Sequence, residues 1–415
     1  MKVLLISQGS TGDIYPLIAL GKALQEAKHS VAFATAPLYK EEIEKADIPY
    51  QYTPPDWEKP VFVDCMRALD RQPNAIALMK QIYRSGLSFM GELIDTIEDL
   101  IKDYDLVVCS YIFPHFKVLS DRHKIPFVTI TFCHSVIPAK DITPELVPKL
   151  HGFPAPIKYL WNSLWWLLIN RIVDHSVNSI AGPVFESRGI PPIKNFITAP
   201  ADLSIVCVSS SLMQKSRFKN QRFVYTGYLR WQSDTNEALE EELRQFCEAG
   251  PVPIITFGSV SFDHIQDIMS RFEKNWPKGQ KIILQSGWAG LSIQINRPDI
   301  KIINQVSHDQ LFKHAVCVIH HGGAGTTASV LHAGVPHIVV PHLGDQNFWA
   351  SEVKRLGTGI RLSKKHWPER LYKAVQKVTS DAQYNKRAQY CADQLSQETG
   401  SLNAVATLES FMENR

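Results

Sequence analysis

The stretch His320-His321-Gly322-Gly323-Ala324-Gly325-Thr326-Thr327 decides how this sequence is interpreted. It follows an apolar run at 316–319 that predicts a buried strand, and it opens a helix predicted over 324–333. A helix N-terminus presents backbone N–H groups and the positive end of the helix dipole, and glycines let an anion approach that backbone closely. The 320–327 turn therefore predicts a phosphate-binding site.

The 320–327 turn differs from two common phosphate-binding motifs. No Gly-Lys-Ser or Gly-Lys-Thr follows it, as a Walker loop requires, and the Gly-x-Gly-x-x-Gly spacing of a dinucleotide-binding turn is absent. A structural alternative stays open at this point, in which the turn is simply rich in glycine and its histidines are hydrogen-bonded core residues.

Apolar runs alternate with helical patterns on both sides of this turn. The predicted strands cover 3–7, 31–35, 106–110, 127–131, 205–208, 254–257, 281–284, 301–303, 316–320 and 337–340. We therefore predict an α/β fold of two doubly wound, Rossmann-like domains with a cleft between them. The predicted divisions are a first domain at 1–215, a linker at 216–250, a second domain at 251–385, and terminal helices at 386–415 that return to the first domain.

The composition is that of a globular protein. The chain has 415 residues, 45% hydrophobic and 20% charged, which is enough for two or three domains. A net charge of only +3, from 44 Lys and Arg against 41 Asp and Glu, argues against a protein that coats nucleic acid. The seven cysteines form no Cys-x-x-Cys pair, and we recognise neither a signal peptide nor a membrane-spanning run. We expect free thiols and a cytoplasmic, soluble or peripherally membrane-associated protein.

A second polar motif, Pro341-His342-Leu343-Gly344-Asp345-Gln346, follows the next predicted strand. Asp345 would cap the helix that begins here. The same Asp-Gln pair suits two neighbouring sugar hydroxyls, because a carboxylate accepts hydrogen bonds and an amide both donates and accepts them. The two roles are compatible.

A glycine-containing loop follows the first strand of each predicted domain. Gly9-Ser10-Thr11-Gly12-Asp13 places Asp13 at a helix start, where the dipole favours its ionised form. Asp13 is therefore either an N-cap or a catalytic base at the mouth of the cleft. Phe257-Gly258-Ser259 carries little information alone, but beside a phosphate-binding turn it predicts a second hydrogen-bond donor to a diphosphate.

Segments 320–346, 257–261 and 9–13 together resemble the nucleotide-sugar-dependent glycosyltransferases of the GT-B fold. The similarity extends over nearly the whole chain and is greatest to the sterol 3-beta-glucosyltransferase and antibiotic glycosyltransferase branch. The resemblance implies an inverting enzyme that moves a hexose, glucose in the first instance, from a UDP-sugar such as UDP-glucose to a hydroxyl of a lipophilic acceptor such as a sterol. It implies no cofactor beyond this donor substrate.

The resemblance assigns roles residue by residue. Asp13 matches the acid that takes the proton from the acceptor hydroxyl. Asp345 and Gln346 match the pair that holds the donor sugar, and Trp288 and Val306 fall where the family holds the uracil. The residues that match the diphosphate contacts, or stand beside them, are Ser259, His320, His321, Gly323, Ala324, Gly325 and Thr326.

The expected acceptor pocket lies in the first half, where aromatic residues are concentrated. Trp161, Trp165 and Trp166 recur at helical spacing, and such stripes commonly belong to a core. The alternative is an apolar groove or a membrane-facing helix flanked by Lys158 and Arg171, because Trp favours the interface. The predicted acceptor contacts are Ser10, Phe113, His115, His134, Trp161 and Trp165.

The chain departs from its plant relatives in the first loop. Those enzymes pair a His there with an Asp after a later strand, whereas here the loop carries Asp13 and the later strand ends Cys109-Ser110-Tyr111. His115 and His134 could assist from loops of the same face, although ordinary loop histidines are the simpler interpretation. No metal is expected, because Asp103-Tyr104-Asp105 precedes a strand instead of following one.

Four alternatives of other kinds stay open. They are transfer to a polyketide, antibiotic-type or other small acceptor, a nucleotide-sugar epimerase on the same fold, a non-catalytic binding protein, and a basic surface for anionic lipid. A solvated helix face is the simpler explanation of the last. The residues of that basic surface are Lys354, Arg355, Arg361, Lys364, Lys365 and Arg370.

Overall fold

The chain divides into two compact units. The computed structural model describes residues 1–134, 137–144, 147–198, 201–213, 223–231, 237–258, 264–286, 295–304, 306–342 and 344–415. The N-terminal unit comprises Met1–Cys65, Gln72–Arg230 and Thr399–Arg415, and the C-terminal unit comprises Met66–Arg71 and Trp231–Glu398.

The N-terminal unit is built on a parallel sheet. Among the described residues its strands are β1 (Lys2–Ile6), β2 (Ser30–Thr35), β3 (Tyr50–Tyr52), β4 (Leu106–Ser110), β5 (Phe127–Thr131), β6 (Leu203–Val206) and β7 (Phe223–Tyr225), in the order β3-β2-β1-β4-β5-β6-β7. The central strands are buried on both faces, as apolar runs in a helix-covered parallel sheet should be. Ile6 pairs with Ala34 and Cys109, so the carboxyl ends of β1, β2 and β4 align.

Helices cover this sheet. Three helices lie between β3 and β4, and Asn74 caps the second by accepting a hydrogen bond from the Ala77 N–H at 2.9 Å. The first helix begins at Thr11, where Ser10 and Asp13 form a capping box. The helices are α1 (Thr11–Glu26), α2 (Lys40–Lys45), α3 (Lys59–Asp70), α4 (Ala75–Gly86), α5 (Met90–Ile101), α6 (Phe116–Arg122) and α7 (Ala155–Glu186).

The C-terminal unit repeats the architecture. Its described strands are β8 (Val252–Thr256), β9 (Ile282–Gln285), β10 (Ile300–Ile303), β11 (Ala315–His320), β12 (His337–Val339) and β13 (Gly359–Arg361), all parallel and in the order β10-β9-β8-β11-β12-β13. Thr256 pairs with Gln285 and His320, and His320 pairs with Val339. The carboxyl ends of these strands therefore lie at one edge, which is where an open α/β sheet binds ligands.

Helices cover the second sheet as well, and the helix predicted at 324–333 is present. Trp367 is buried in the core of this unit beside Phe257 and Phe272, with ring centroids 5.4 and 6.2 Å away. The helices are α8 (Glu237–Phe246), α9 (Ile265–Asn275), α10 (His308–Leu311), α11 (Ala324–Ala333), α12 (Gln346–Leu356), α13 (Trp367–Ser380), α14 (Ala382–Ser396) and α15 (Gly400–Glu413).

Two short segments each belong to the unit whose other residues lie elsewhere in the sequence. Residues Met66–Arg71 at the end of α3 belong to the C-terminal unit, and Thr399–Arg415 belong to the N-terminal unit. The returning segment begins at Thr399 and not at the predicted residue 386, because α14 packs on α11 inside the C-terminal unit. The side-chain amide of Asn403 donates to the carbonyl of Thr226 at 2.9 Å and thereby fastens α15 to the N-terminal unit.

The cysteines are free thiols in the structure, as the sequence predicts. Burial raises the pKa of the Cys109, Cys207 and Cys317 thiols above the ordinary value. Within the described ranges, no helix combines the length and apolar composition needed to cross a bilayer.

Candidate active site

The 320–327 turn lies where β11 ends and α11 begins. Gly322 has a φ of +90°, and a side chain there would meet Val339 Cγ1 and come within 3.2 Å of the Gln346 carbonyl oxygen. Gly323 is the N-cap of α11, and a side chain there would collide with the His321 ring. Both positions therefore require glycine, which lets the backbone of this turn pass close to α12.

The first turn of α11 is open toward an anion. The N–H groups of Ala324, Gly325 and Thr326 precede the first intrahelical bond, which Thr327 donates to the Gly323 carbonyl at 2.9 Å. This first turn contains no acidic residue, and among the described residues nothing lies within 4 Å of the place where a Gly325 side chain would begin. An approaching diphosphate would find three N–H groups and the positive end of the helix dipole.

His320 supports this turn from inside the core. The Gly322 N–H donates to His320 Nδ1 at 3.1 Å, so the proton of this imidazole is on Nε2, which donates to His337 Nδ1 at 3.0 Å. Burial lowers the pKa of both rings, to about 3 for His337, and both stay neutral. With no exposed surface and both nitrogens engaged, His320 shapes the turn instead of contacting the donor as predicted.

His321 is the next residue, and its ring lies beside Gly258 and Gly323. It is 8% exposed, and burial lowers its pKa to about 3, with smaller contributions from His342 and His308. Its Nδ1 is buried and has no hydrogen-bond partner among the described residues. A neutral imidazole still carries one N–H, so His321 can donate a hydrogen bond to a phosphate without a positive charge.

Asp70 brings a carboxylate from α3 to this region of the C-terminal unit. It is 9% exposed, and its two oxygens lie 2.6 Å from Lys364 Nζ and 3.5 Å from His342 Nδ1. Burial alone would raise the pKa of Asp70, but the hydrogen bonds and charges of His342 and Lys364 outweigh it and lower the pKa. No sequence motif pointed to Asp70, because it is separated from its partners by most of the chain.

Asp345 and Gln346 begin α12 beside the turn. Asp345 Oδ2 accepts a hydrogen bond from Trp349 Nε1 at 2.9 Å, and Gln346 Oε1 accepts one from the His342 N–H at 2.7 Å. Asp345 occupies the N-cap position, but its side chain makes no cap hydrogen bond to the helix. These contacts hold both side chains in one orientation next to Gly322.

The remaining donor predictions, Ser259, Trp288 and Val306, follow β8, β9 and β10 in the sequence. Ser259 and Trp288 lie outside the described residues. The Val306 carbonyl accepts from Gln285 Nε2 at 3.0 Å, and Gln285 Oε1 accepts from Thr256 Oγ1 at 2.6 Å. Gln285, which the sequence did not single out, therefore fixes the backbone at Val306.

Asp13 lies in the N-terminal unit, in the loop after β1. Gly9 has a φ of +132°, and a side chain there would collide with the Asp13 carboxylate. Asp13 Oδ2 accepts from the N–H and the hydroxyl of Ser10 at 2.8 and 3.1 Å. Burial raises the pKa of Asp13, and these two bonds lower it only in part. Asp13 is thus a capping residue whose carboxylate is also a stronger base than an ordinary aspartate.

The predicted acceptor contacts at 113 and 115 are core residues. Phe113 stacks on Phe116 with centroids 5.4 Å apart, and His115 lies between Phe116 and Phe185 at 4.4 and 5.1 Å. His115 has no exposed surface, and burial lowers its pKa to about 3. These residues are therefore not acceptor contacts, because the loop after β4 folds inward and α7 covers it.

The other predicted acceptor contacts are less deeply buried, except for His134. His134 is buried, with the Tyr225 ring centroid 6.0 Å away. Trp161 Nε1 donates to the Pro148 carbonyl at 3.1 Å, and Trp165 packs edge-on against it at 5.6 Å. Both rings are half-buried on α7. Ser10, Trp161 and Trp165 stay predictions as acceptor contacts.

Known proteins with the same architecture identify the family. One family model, described as "Glycosyltransferase family 28 N-terminal domain", matches residues 3–88, and another, "Erythromycin biosynthesis protein CIII-like, C-terminal domain", matches residues 282–410. The solved structure of "the Glycotransferase of kitacinnamycin" superimposes with a TM-score of 0.71 at 17% identity over 99% of this chain and 98% of that one. The chain belongs to the GT-B glycosyltransferases. The predicted fold class and family are confirmed.

This glycosyltransferase has curated relatives with different acceptors in their names. It is 25% identical over 366 residues to the vancomycin aglycone glucosyltransferase of Amycolatopsis orientalis, covering 87% of this chain and 85% of that enzyme. It is also 25% identical over 432 residues to the sterol 3-beta-glucosyltransferase of Debaryomyces hansenii, covering 97% of this chain and 26% of that protein. A structural neighbour, SsfS6 of Streptomyces sp. SF2575, is solved with thymidine diphosphate, with a TM-score of 0.65 at 17% identity over 99% of both chains.

The Asp-x-Asp segment of this glycosyltransferase has a structural task. Asp105 Oδ2 accepts a hydrogen bond from the Lys2 N–H at 2.7 Å and joins the start of β1 to the turn before β4. In the part of the chain that the structure describes, no group of three or more His, Cys, Asp or Glu residues is arranged to hold a metal ion.

Proposed function

We propose that this glycosyltransferase moves a hexose, glucose in the first instance, from a UDP-sugar to a hydroxyl of a lipophilic acceptor such as a sterol, with inversion at the anomeric carbon. The observation that carries the proposal is the open first turn of α11 beside the neutral His321, an arrangement that suits a nucleoside diphosphate. A peripheral contact with a membrane and independence of metal ions are further parts of the proposal.

Departure of the diphosphate is the step that this turn would promote. Negative charge grows on the leaving oxygen as the glycosidic bond breaks, and the N–H groups of Ala324, Gly325 and Thr326 are already oriented toward an anion. His321 adds one N–H from the side of the turn. Donors fixed in this way are worth roughly a hundredfold to a thousandfold each in comparable sites, because they need no reorganisation as the charge develops.

Proton removal from the acceptor is the task proposed for Asp13. A carboxylate with a raised pKa accepts a proton more readily than an ordinary aspartate, and the Ser10 bonds hold it in one orientation. Attack from the face opposite the diphosphate would invert the anomeric carbon. Asp345 and Gln346 would hold the hydroxyls of the sugar, and the predicted contacts of Ser259, Trp288 and Val306 with the donor stay proposals.

An antibiotic-type acceptor is the second candidate, and the names of the relatives favour it. The vancomycin aglycone enzyme and the kitacinnamycin enzyme are both named for such products. The sterol candidate has the support of the named sterol relative and of the apolar, tryptophan-rich helix α7. The thymidine diphosphate bound to SsfS6 makes a TDP-sugar the alternative donor.

A panel experiment tests the proposal. Purified protein is incubated with UDP-glucose, UDP-galactose or TDP-glucose and with a sterol, a macrolide aglycone or a small polar phenol, and products are identified by mass. We expect a hexosylated sterol from UDP-glucose, at a rate that a chelator does not change. Transfer to the phenol alone would contradict the proposal of a lipophilic acceptor. Isomerisation of the donor without any acceptor would show that the protein is an epimerase.

A further inference from the structure

The outward side of α7 changes character halfway along the helix. In the first half the exposed positions on this side are apolar, with Leu160 at 63%, Leu164 at 56% and Leu167 at 52% exposed. In the second half the corresponding exposed positions are His175, Ser179, Pro183 and Glu186. We call the apolar half the outer face of α7. It consists of Ile157, Leu160, Leu164, Leu167, Leu168 and Ile172.

A helix whose outward side contacts only water does not need the apolar residues that form the outer face. The opposite side of the same half already packs into the N-terminal unit through Trp166 and Val173, and Trp166 Nε1 donates to the Ile142 carbonyl at 2.8 Å. The outward and packed sides of this half of α7 are therefore both largely apolar, although Asn162 and Asn170 are buried in the packed side. Such a helix is normally buried on every side or in contact with lipid. Single exposed leucines are ordinary, but a continuous apolar stripe marks an interaction site.

The Asp, Glu, Lys and Arg residues of the segment that contains the outer face, 147–172, have one sign. Between Leu146 and Val173 the sequence contains no Asp or Glu, but it contains Lys149, Lys158 and Arg171. Lys149 and Arg171 are exposed and Lys158 is half-buried, and none of the three has an ion-pair partner among the described residues. An apolar stripe bordered by unpaired cations is complementary to a surface that is apolar inside and anionic outside.

Two tryptophans lie along one border of the outer face. Trp161 and Trp165 are half-buried and contact each other, and the Trp161 N–H is bonded to the Pro148 carbonyl. Tryptophan prefers the boundary between water and the lipid interior, because its ring is apolar and its N–H is polar.

A second copy of the chain is a poor match for this surface. From Ile157 to Ile172 the helix rises about 23 Å, and a helix surface is about 10 Å wide, so the stripe offers on the order of 250 Å². A stable protein interface buries about 800 Å² on each partner. The cations around the stripe would also face the same cations of the copy.

We propose that the outer face of α7 docks the glycosyltransferase onto an anionic phospholipid surface, with the helix lying parallel to the membrane. Leucine and isoleucine side chains enter the boundary between headgroups and acyl chains, and Lys149, Lys158 and Arg171 contact phosphate groups. The inference gives a site to the membrane contact in the proposed function. Vesicle binding is measured without donor or acceptor, so it can fail or succeed independently of the transfer reaction.

Vesicle sedimentation tests the docking. The full chain is mixed with vesicles of phosphatidylcholine alone or with phosphatidylglycerol added, and the bound fraction is measured after centrifugation. We expect binding to the anionic vesicles that the variant Leu160→Gln, Leu164→Gln, Leu167→Gln reduces at least tenfold. Glutamine is chosen because it keeps helix propensity at these exposed positions. Leu402→Gln is the matched control, because Leu402 is 57% exposed on α15 of the same unit and should change nothing.

A charge variant and a measurement of size complete the test. Lys158→Gln with Arg171→Gln should reduce anionic binding about fivefold for each cation, and added salt should remove this difference. Equal binding by the wild type and the triple leucine variant would overturn the proposal, as would equal binding to both kinds of vesicle. Light scattering that shows a dimer lost in the triple variant would also overturn it, because the occupant would then be a second copy. Unchanged thermal unfolding midpoints establish that the variants are folded.

Discussion

The imidazole rings of His320 and His337 share a hydrogen bond of 3.0 Å inside the C-terminal unit, and the N–H of Gly322 fixes its direction. The bond joins the last residue of β11 to the first residue of β12. A neutral, buried pair of histidines thus supports the predicted phosphate-binding turn, and the backbone geometry of the turn depends on two side chains with no exposed surface.

Two variants of His320 distinguish the loss of the hydrogen bond to Gly322 from a change in side-chain volume. His320→Leu should destabilise the protein by about 1–3 kcal/mol, because it leaves the buried N–H of Gly322 without an acceptor. His320→Asn is the matched variant, since its amide oxygen can replace Nδ1 as the acceptor. We expect the Leu variant to unfold at lower urea and to bind the donor more weakly than the Asn variant. Equal losses in the two variants would contradict the role of the Gly322 bond.

Asp13 gives the reaction a predictable pH dependence. A base must be deprotonated to act, so kcat/KM should rise with pH through the raised pKa of Asp13, above the 3.8 of an ordinary aspartate. Ser10→Ala removes a bond that lowers this pKa and should move the acidic limb to higher pH. The measurement is the pH–rate profile of both proteins. Identical limbs would show that another group controls this step.

Asp13→Asn provides the companion measurement. It should retain donor binding and lose turnover, because the amide cannot accept the proton of the acceptor hydroxyl. Asp99→Asn, which changes an exposed carboxylate in the same unit, is the control and should keep both properties. Turnover retained by Asp13→Asn would remove Asp13 as the base.

His115 should make the N-terminal unit sensitive to acid. Burial lowers its pKa to about 3 in the folded chain, whereas an unfolded histidine titrates near 6.5. Below 6.5 the unfolded state binds the proton and the folded state does not, so stability is full above this pH and falls as the pH drops toward 3. His115→Leu should remove about 1.4 kcal/mol of this loss per pH unit.

Urea unfolding at pH 5 and pH 8 measures the effect of His115→Leu. The free energy of unfolding of His115→Leu, relative to that of the wild type, should be higher at pH 5 than at pH 8. His151→Leu, at an exposed histidine of the same unit, should give no such difference. A gain that is the same at both pH values would show that packing alone is responsible.

The Asp70–Lys364 pair should stabilise the C-terminal unit. Lys364→Met leaves the buried carboxylate beside His342, whose pKa burial lowers, and should cost about 1–3 kcal/mol, in the range for hydrogen bonds to charged groups. Lys365→Met is the matched control, because Lys365 is exposed and adjacent. A double-mutant cycle with Asp70→Asn measures the coupling in urea. A coupling near zero would mean that the pair contributes nothing.

Gly325 allows a steric test of the anion site. Gly325→Ala places a methyl group where nothing lies within 4 Å among the described residues, so the unfolding midpoint should not fall. The same methyl group would occupy the approach to the first turn of α11, and we expect the KM for the donor to rise at least tenfold with a smaller change for the acceptor. An unchanged donor KM would place the diphosphate elsewhere.

The sequence predicted the parts of this molecule that depend on local order. Apolar runs and the glycine turns after β1 and β11 sufficed for two parallel sheets and for the positions of Asp13 and His321. The different environments of His320 and His321 could also be predicted from the sequence, because neighbouring residues at the end of a strand point to opposite sides. A buried strand end predicts one histidine inside and one facing the ligand edge.

The misassigned parts depend on contacts between distant segments. His115 looked like a loop residue, but Phe185 on α7 covers it, and no local pattern predicts where a helix beginning forty residues later will pack. Asp70 looked like a polar position at the end of a helix, but its partners lie near residues 342 and 364. Charge and burial at these positions are set by tertiary packing, which periodicity does not encode.

The last helix, α15, has a consequence for the order of synthesis. It packs on α1, and Glu409 lies 2.9 Å from Nε2 of His29 in the turn before β2, although the whole C-terminal unit is translated between these two residues. On the ribosome the unit that is made first is therefore completed last. The N-terminal unit, whose sheet is translated early, therefore lacks its helix α15 until the C-terminal unit has been synthesised.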